Sequence, residues 1–289
     1  MKIPESELII NGDGSVFHLH IRPDQLAGTV FLVGDPGRVR NFKSFFTSLE
    51  CEGESREFVW ATGIYKGTKM TVLSSGIGTD NIDIVMTELD ALANIDFDTR
   101  EVKPVHKALD ILRVGTCGAI QPEIPLGSYI LSHISVGFDG LMNWYEGRET
   151  FALQDFEDAF VKHMSWNPKL PAPYFVRASQ KIIDRLAGST VKGMTVSAPG
   201  FYGPQGRVVR QGLVMPDMLR DLESFEFDGY KITNFEMEGS ALAGMSAKLG
   251  HNAATVCFAI AHRYHKDANT DYKKEMDKFV RTVLGCMTN

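Results

Sequence analysis

The sequence predicts an α/β fold, and three observations carry that prediction. Short apolar runs that end in glycine turns recur from Thr29 to His262, helical periodicities fall between several of them, and the 289 residues are 44% hydrophobic and 23% charged. "TVFLV" reads as a buried strand entering the turn "GDPGR", and "TKMTVLSS" as another entering "GIGTDN". Ile82, Val85, Met86, Leu89 and Leu92 then fall at helical spacing, with Thr79 or Asp80 placed to cap the first turn. "ALDILRVGTCGA" repeats the pattern of a strand opening into a glycine loop, and "GSYILSHISV" reads as the next strand. Residues 237–249 read as a helix closed by Gly250, with Glu236 and Glu238 at its beginning. "HNAATVCFAIA" is long enough for a central strand. A last helix is expected over residues 272–284, with Met276, Phe279, Val280 and Val283 on one face. "NIDFDTREVKPVHKAL" and "HMSWNPKLPAPYF" read as surface excursions, and no composition shift divides the chain, so residues 1–289 are expected to form one domain.

Composition narrows the function. A formal charge of −6 without a basic stripe argues against nucleic acid as a partner. The N-terminus lacks the pattern of a secretory signal and no apolar run reaches membrane-spanning length, which predicts a cytoplasmic protein with no membrane partner. Cys51, Cys117, Cys257 and Cys286 are far apart, so reduced and mostly buried thiols are expected, rather than disulfides or a zinc site.

Two glycine loops have the chemistry of anion sites. In "GDPGR", Gly34 and Gly37 permit a tight turn that aims backbone N–H groups outward, and Arg38 adds a charge with bidentate geometry. In "RVGTCG", Arg113 lies at the end of a strand, where open α/β sheets bind ligands, and Thr116 offers a hydroxyl and a backbone N–H. An arginine in an apolar strand must be paired, so a structural ion pair is the competing reading for Arg113. "SSGIGTDN" fails as a dinucleotide fingerprint, because Asn81 occupies its third glycine position.

"VFHL", "GDPGR", "SREF", "GIG", "RVGTCGA", "GFYGPQGR" and "NFEMEGSAL" occur in the order seen in the nucleoside phosphorylase superfamily. The chain resembles most closely its uridine phosphorylase branch, over residues 18–263. The resemblance implies a three-layer αβα domain with a mixed central sheet. It also implies reversible attack of phosphate on a nucleoside, with inorganic phosphate as co-substrate and no cofactor.

Gly34, Arg38, Arg113 and Thr116 match the phosphate-binding positions of that family. Arg56 matches an arginine reaching the phosphate from a neighbouring subunit, and His18 a histidine lent across the same interface to the ribose 5′-hydroxyl. A homodimer is therefore the expected minimum, with a hexamer as a trimer of dimers the alternative. Met237 and Glu238 match the residues that pack against the ribose and accept its hydroxyl protons, with Glu236 adjacent.

Gln205 and Arg207 match the pyrimidine-reading pair, with Phe201 against the base and Arg263 near it. An amide suits the alternating edge of uracil, and an arginine stabilises the departing anion. The expected catalytic set is Arg113, Glu238, Gln205 and Arg207. Purine phosphorylases resembling this family carry an aspartate where this chain has "HRY", which points to pyrimidines. Asn81 replaces a serine of the segment that, with the glutamate matching Glu57, holds a monovalent cation, so that site is not expected. The alternatives are a purine nucleoside phosphorylase of the same fold and a silent nucleoside-binding protein. Preference among uridine, deoxyuridine and thymidine is left open.

Overall fold

The computed structural model describes residues 2–263, 265–269 and 271–288. The strands build a large mixed sheet. Its order is Glu226–Phe227, Tyr230–Glu236, Val191–Ser197, Tyr129–Gly137, Asn252–His262, Asp110–Ala119, Thr29–Val33, Thr68–Ser74, Phe58–Tyr65 and Ser48–Ser55. Thr29–Val33 lies parallel to Thr68–Ser74 on one side and to Asp110–Ala119 on the other. Asn252–His262 continues the parallel run beyond Asp110–Ala119, then pairs antiparallel with Tyr129–Gly137. These central strands are buried on both faces, which is why they read as continuous apolar runs.

The period-2 alternation of Thr29–Val33 sorts the core into two layers. Val30 and Leu32 join a cluster with Ile82, Val85, Met86, Leu89 and Leu92, together with Leu242 of the helix Gly239–Leu249. Phe31 and Val33 face the other way, toward Val39, Ile182, Phe279 and Val280 of the helices Pro36–Lys43, Gln180–Leu186 and Lys273–Cys286. The expected three-layer arrangement follows. Asn234 and Phe235 also pair antiparallel with Ala119 and Gly118. That contact closes five strands into a ring, which brings the start of "EMEG" beside "GTCG"; the latter is not the expected loop but the last part of the strand Asp110–Ala119, paired with Asn252–His262.

Several local readings are corrected. The helix after "GIGTDN" spans Thr79–Asn94, its N-cap is Gly78 at φ 102°, and no side chain caps it. Neither Thr79 nor Asp80 is the cap, because the bend needs a backbone that glycine adopts most readily. The helix predicted over 237–249 begins at Gly239, where the Glu236 carboxylate accepts from the N–H groups of Glu238 and Gly239. Gly250 closes it in the left-handed conformation. The last helix is Lys273–Cys286, with the four predicted residues buried. The first excursion holds a small hairpin of Ile95–Asp96 and Glu101–Val102. The second is anchored, since Trp166 lies 4.8 Å from the Phe138 ring and its Nε1 donates to the Pro171 carbonyl at 3.0 Å. All four cysteines are free thiols; Cys117 and Cys257 are buried, Cys51 and Cys286 half-buried. Among the described residues no helix is long and apolar enough to cross a membrane.

Candidate active site

A cavity of about 740 Å³ opens where the parallel strands end, the place at which sheets of this kind bind ligands. Its wall takes Gly34 and Arg38 from beyond the first strand, and Gly76 and Ile77 from the turn after Thr68–Ser74. Arg113 and Thr116 come from Asp110–Ala119, and Glu236, Met237 and Glu238 from the end of Tyr230–Glu236. Phe201, Gln205 and Arg207 complete it from the loop after Val191–Ser197. Residues predicted from four separate motifs thus share one cavity.

At the anion end, Arg38 is 8% exposed and donates to the Val114 carbonyl at 3.0 Å. Burial, and then the neighbouring charge of Arg113, pull its pKa down from the usual arginine range. Arg113 is 4% exposed, with Nη1 3.0 Å from Glu236 Oε2 and Nη2 on Glu238 Oε2. Burial opposes its charge, but the two carboxylates overcome that and hold it above its ordinary value. Its Nε has no protein partner. A buried N–H on a charged group is usually paired, so this orphan donor beside a second buried arginine is exceptional among the described residues. The structural ion pair is present, and Arg113 also lines the cavity.

The two glutamates differ in environment. Glu236 is engaged on both oxygens by Ser197 Oγ, Arg113 and the N–H groups of Glu238 and Gly239. Glu238 accepts from the Gly78 N–H at 2.8 Å on one oxygen and from Arg113 on the other. Burial raises its pKa, and Arg113 offsets part of that rise.

The base loop is built around a short turn, Gly203–Gln205, ended by Gly206 at φ 72°. Gln205 is 3% exposed, whereas Phe201 is half exposed. The Arg207 guanidinium sits 3.7 Å from the Phe201 ring centroid and donates to Gln205 Oε1 at 2.6 Å and to the Phe201 carbonyl at 2.6 Å. The bond to Oε1 uses the acceptor end of the Gln205 amide. Burial, and then Arg263, lower the Arg207 pKa to about 10.

Three predicted residues do not line this cavity. Arg263 donates from Nη2 to the Gln205 carbonyl at 2.9 Å, so it holds the base loop from behind. Arg56 is exposed at φ 54° and lies 5.5 Å from the Phe17 ring, whose neighbour at 4.8 Å is His18. His18 is itself tied by Nδ1 to Glu88 at 2.6 Å.

Residues 29–287 match the Phosphorylase superfamily. The chain belongs to that superfamily. It is 29% identical over 263 residues to a uridine phosphorylase of Thermococcus kodakarensis, covering 91% of this chain and 83% of the relative. It is 28% identical over 282 residues to a uridine phosphorylase of Haemophilus influenzae, covering 93% and 96%. Among solved structures, a nucleoside phosphorylase of Trypanosoma brucei, described as showing uridine phosphorylase activity, superposes with a TM-score of 0.88. That chain is 28% identical, and the match covers 97% of this chain and 99% of that one.

Sequence reasoning did not single out Glu88, the partner of His18. Buried on Thr79–Asn94, it accepts from the N–H groups of His18 and Leu19 at 3.0 and 2.9 Å as well as from the His18 ring. A lone glutamate in a helical pattern gives no local signal of this. Asn81 and Glu57 both line the cavity and flank Gly76, whose added Cβ would meet Asn81 Nδ2 at 2.5 Å and Glu57 Cγ at 3.3 Å. Among the described residues, Asp90, His106 and His251 are grouped closely enough to share a metal ion. The Leu109 N–H, however, donates to His251 Nδ1 at 3.1 Å, which leaves the proton of neutral His251 on Nε2, facing Asp90 at 3.2 Å. A protonated nitrogen is not a ligand, so this group reads as a structural dyad.

Proposed function

We propose that this chain is a uridine phosphorylase, which converts uridine and phosphate reversibly to uracil and ribose 1-phosphate. One observation carries the reading: a single cavity holds the buried Arg38–Arg113 pair, the underused carboxylate of Glu238, and the Gln205–Arg207 pair over Phe201. These are the parts that a phosphate, a ribose and a uracil require.

Phosphate is a weak nucleophile and must be held in line with C1′, which Arg38, Arg113, Thr116 and the Gly34 backbone are placed to do. A phosphate oxygen bonds to C1′ as the C1′–N1 bond breaks, and its electron pair moves onto uracil. The ribose gains oxocarbenium character, which Glu238 favours by accepting from its hydroxyls, with Met237 against the ring. The Arg207 guanidinium and Gln205 Nε2 receive the charge that gathers on uracil. Phosphate is the second substrate, and the scheme uses no cofactor.

Arg263 supports the pyrimidine choice. It belongs to the "HRY" that follows the strand where the resemblance puts an aspartate in purine phosphorylases, and it donates to the Gln205 carbonyl. Arg56 and His18, away from their own cavity on one surface cluster, are read as completing a neighbour's site in a homodimer, the minimum unit of a larger assembly such as a hexamer. Residues 1–289 are read as one domain, supported by the continuous sheet and the match from 29 to 287. The four free thiols support a cytoplasmic setting.

The test is a panel of uridine, 2′-deoxyuridine, thymidine and inosine with phosphate supplied, followed by absorbance. Uridine is expected to be turned over faster than inosine. Turnover of inosine with none of uridine would overturn the pyrimidine assignment.

A further inference from the structure

We infer that Glu236 is a positioning residue rather than a ribose ligand, and that Ser197, backed by Ser240 and Asp139, is the brace that fixes it. The inference rests on the phosphorylase reading for its kinetic consequences and on the geometry alone for its effect on phosphate.

A carboxylate offers about four lone-pair sites. On Glu236, Oε1 accepts from Ser197 Oγ and from the Gly239 N–H at 2.9 Å. Oε2 accepts from the Glu238 N–H at 2.9 Å, shares the Gly239 N–H at 2.9 Å, and faces Arg113 Nη1 at 3.0 Å. Nothing remains for a ribose hydroxyl. Glu238, on the same arginine, has one backbone donor and one guanidinium donor, and keeps the capacity that a sugar needs. The adjacent glutamates are therefore divided by their partners: Glu236 holds the apparatus and Glu238 meets substrate.

Sheet register supplies the brace. Ser197 is the residue directly opposite Glu236 in the parallel pair of Val191–Ser197 with Tyr230–Glu236, and it is fully buried. Its hydroxyl donates to Glu236 Oε1 while its oxygen accepts from the Ser240 N–H at 2.8 Å. Ser240 Oγ donates to Asp139 Oδ2 at 2.8 Å, and Asp139 also accepts from the Leu141 N–H at 2.8 Å and from buried Tyr174 Oη at 2.9 Å. A line of polar contacts, passing through the covalent frame of Ser240 and ending in an ion pair, thus runs from Asp139, just past the strand Tyr129–Gly137, to the guanidinium of Arg113. Removing its centre leaves Glu236 held only by the Glu238 and Gly239 N–H groups opposite Arg113, so Oε1 loses its side-chain donor and the carboxylate that sets the orientation of the Arg113 guanidinium is held less firmly.

The decisive comparison uses Ser197→Ala, Ser197→Thr and Glu236→Gln. Phosphate affinity is measured by calorimetry with inorganic phosphate, and kcat/KM is measured with uridine and with 2′-deoxyuridine. A hydrogen bond to a charged group is worth about ten- to a hundredfold, so Ser197→Ala is expected to weaken phosphate binding and kcat/KM by about tenfold or more. Ser197→Thr, which keeps the hydroxyl, restores most of the loss. Both nucleosides are expected to lose by the same factor in Glu236→Gln, because the 2′-hydroxyl is not its partner. Undiminished phosphate affinity in Ser197→Ala overturns the inference, and so does a loss in Glu236→Gln confined to uridine. If the native protein fails to split uridine, the functional reading falls, while the calorimetric arm still decides the role of Ser197.

Discussion

Arg207→Ala separates chemistry from folding more cleanly than any other change at this site. Arg207 is placed to receive the charge of departing uracil, and removing one such preorganised donor costs about 100- to 1,000-fold in turnover, or about 3 kcal/mol. Its structural role is smaller. The acceptors it leaves, the Phe201 carbonyl and Gln205 Oε1, belong to a loop in which Phe201 is 50% exposed and Tyr202 61% exposed. Water can replace the lost donor at the Phe201 carbonyl, but Gln205 is 3% exposed and its Oε1 is left short of a donor, so the cost to stability should be about 1–3 kcal/mol. Steady-state uridine phosphorolysis and thermal unfolding, run on the same preparations, give the two numbers. Arg207→Lys should fall between the two enzymes, since an ammonium keeps the charge but not the fork or the stacking on Phe201. The pH profile adds a sign. Arg207 is a donor cation below its pKa of about 10, so native turnover should decline as pH rises through that value, and the Arg207→Ala enzyme should lack this limb. Native turnover in Arg207→Ala, or a loss matched by unfolding, would refute the assignment of this loop to the base.

Other perturbations probe the remaining parts. Arg113→Met leaves Glu236 and Glu238 buried without their common cation, which should cost about 3–5 kcal/mol in urea titrations and abolish turnover. Mixing His18→Ala subunits with Glu238→Gln subunits after reversible dissociation should restore about a quarter of native activity, because only hybrid dimers contain one intact site; no recovery would mean that His18 does not act across an interface. Glu88→Ala removes the acceptor of the His18 and Leu19 N–H groups, and its kinetic loss should parallel that of His18→Ala and not add to it in the double variant.

How much of this was legible in the sequence follows from how local each signal is. The strands "TVFLV", "ALDILRVGTCGA" and "HNAATVCFAIA" could be read because burial on both faces writes an apolar run followed by glycine. The hairpin of Ser48–Ser55 and Phe58–Tyr65 was missed, since its outer strand, "SLECEGES", is polar and largely exposed. The short helix Pro36–Lys43 was taken only for a turn, although Asp35 caps it by accepting from the Gly37 N–H at 2.8 Å. Motif order pointed to Arg38, Arg113, Glu236, Glu238, Gln205 and Arg207, which line one cavity, and also to Arg56 and Arg263, which do not. It was silent on Ser197, Asp139 and Glu88, whose roles depend on register and on contacts 39, 101 and 70 residues apart in the chain. Closure of the ring at Asn234 and Ala119 is likewise a long-range pairing that no window of sequence contains.

If one cavity brings phosphate against C1′ of uridine, the reaction must require phosphate. Purified protein with uridine should release uracil only when phosphate is added, with ribose 1-phosphate appearing in equal amount by phosphorus NMR. Release of uracil at the same rate in phosphate-free buffer, with free ribose as the other product, would contradict the account.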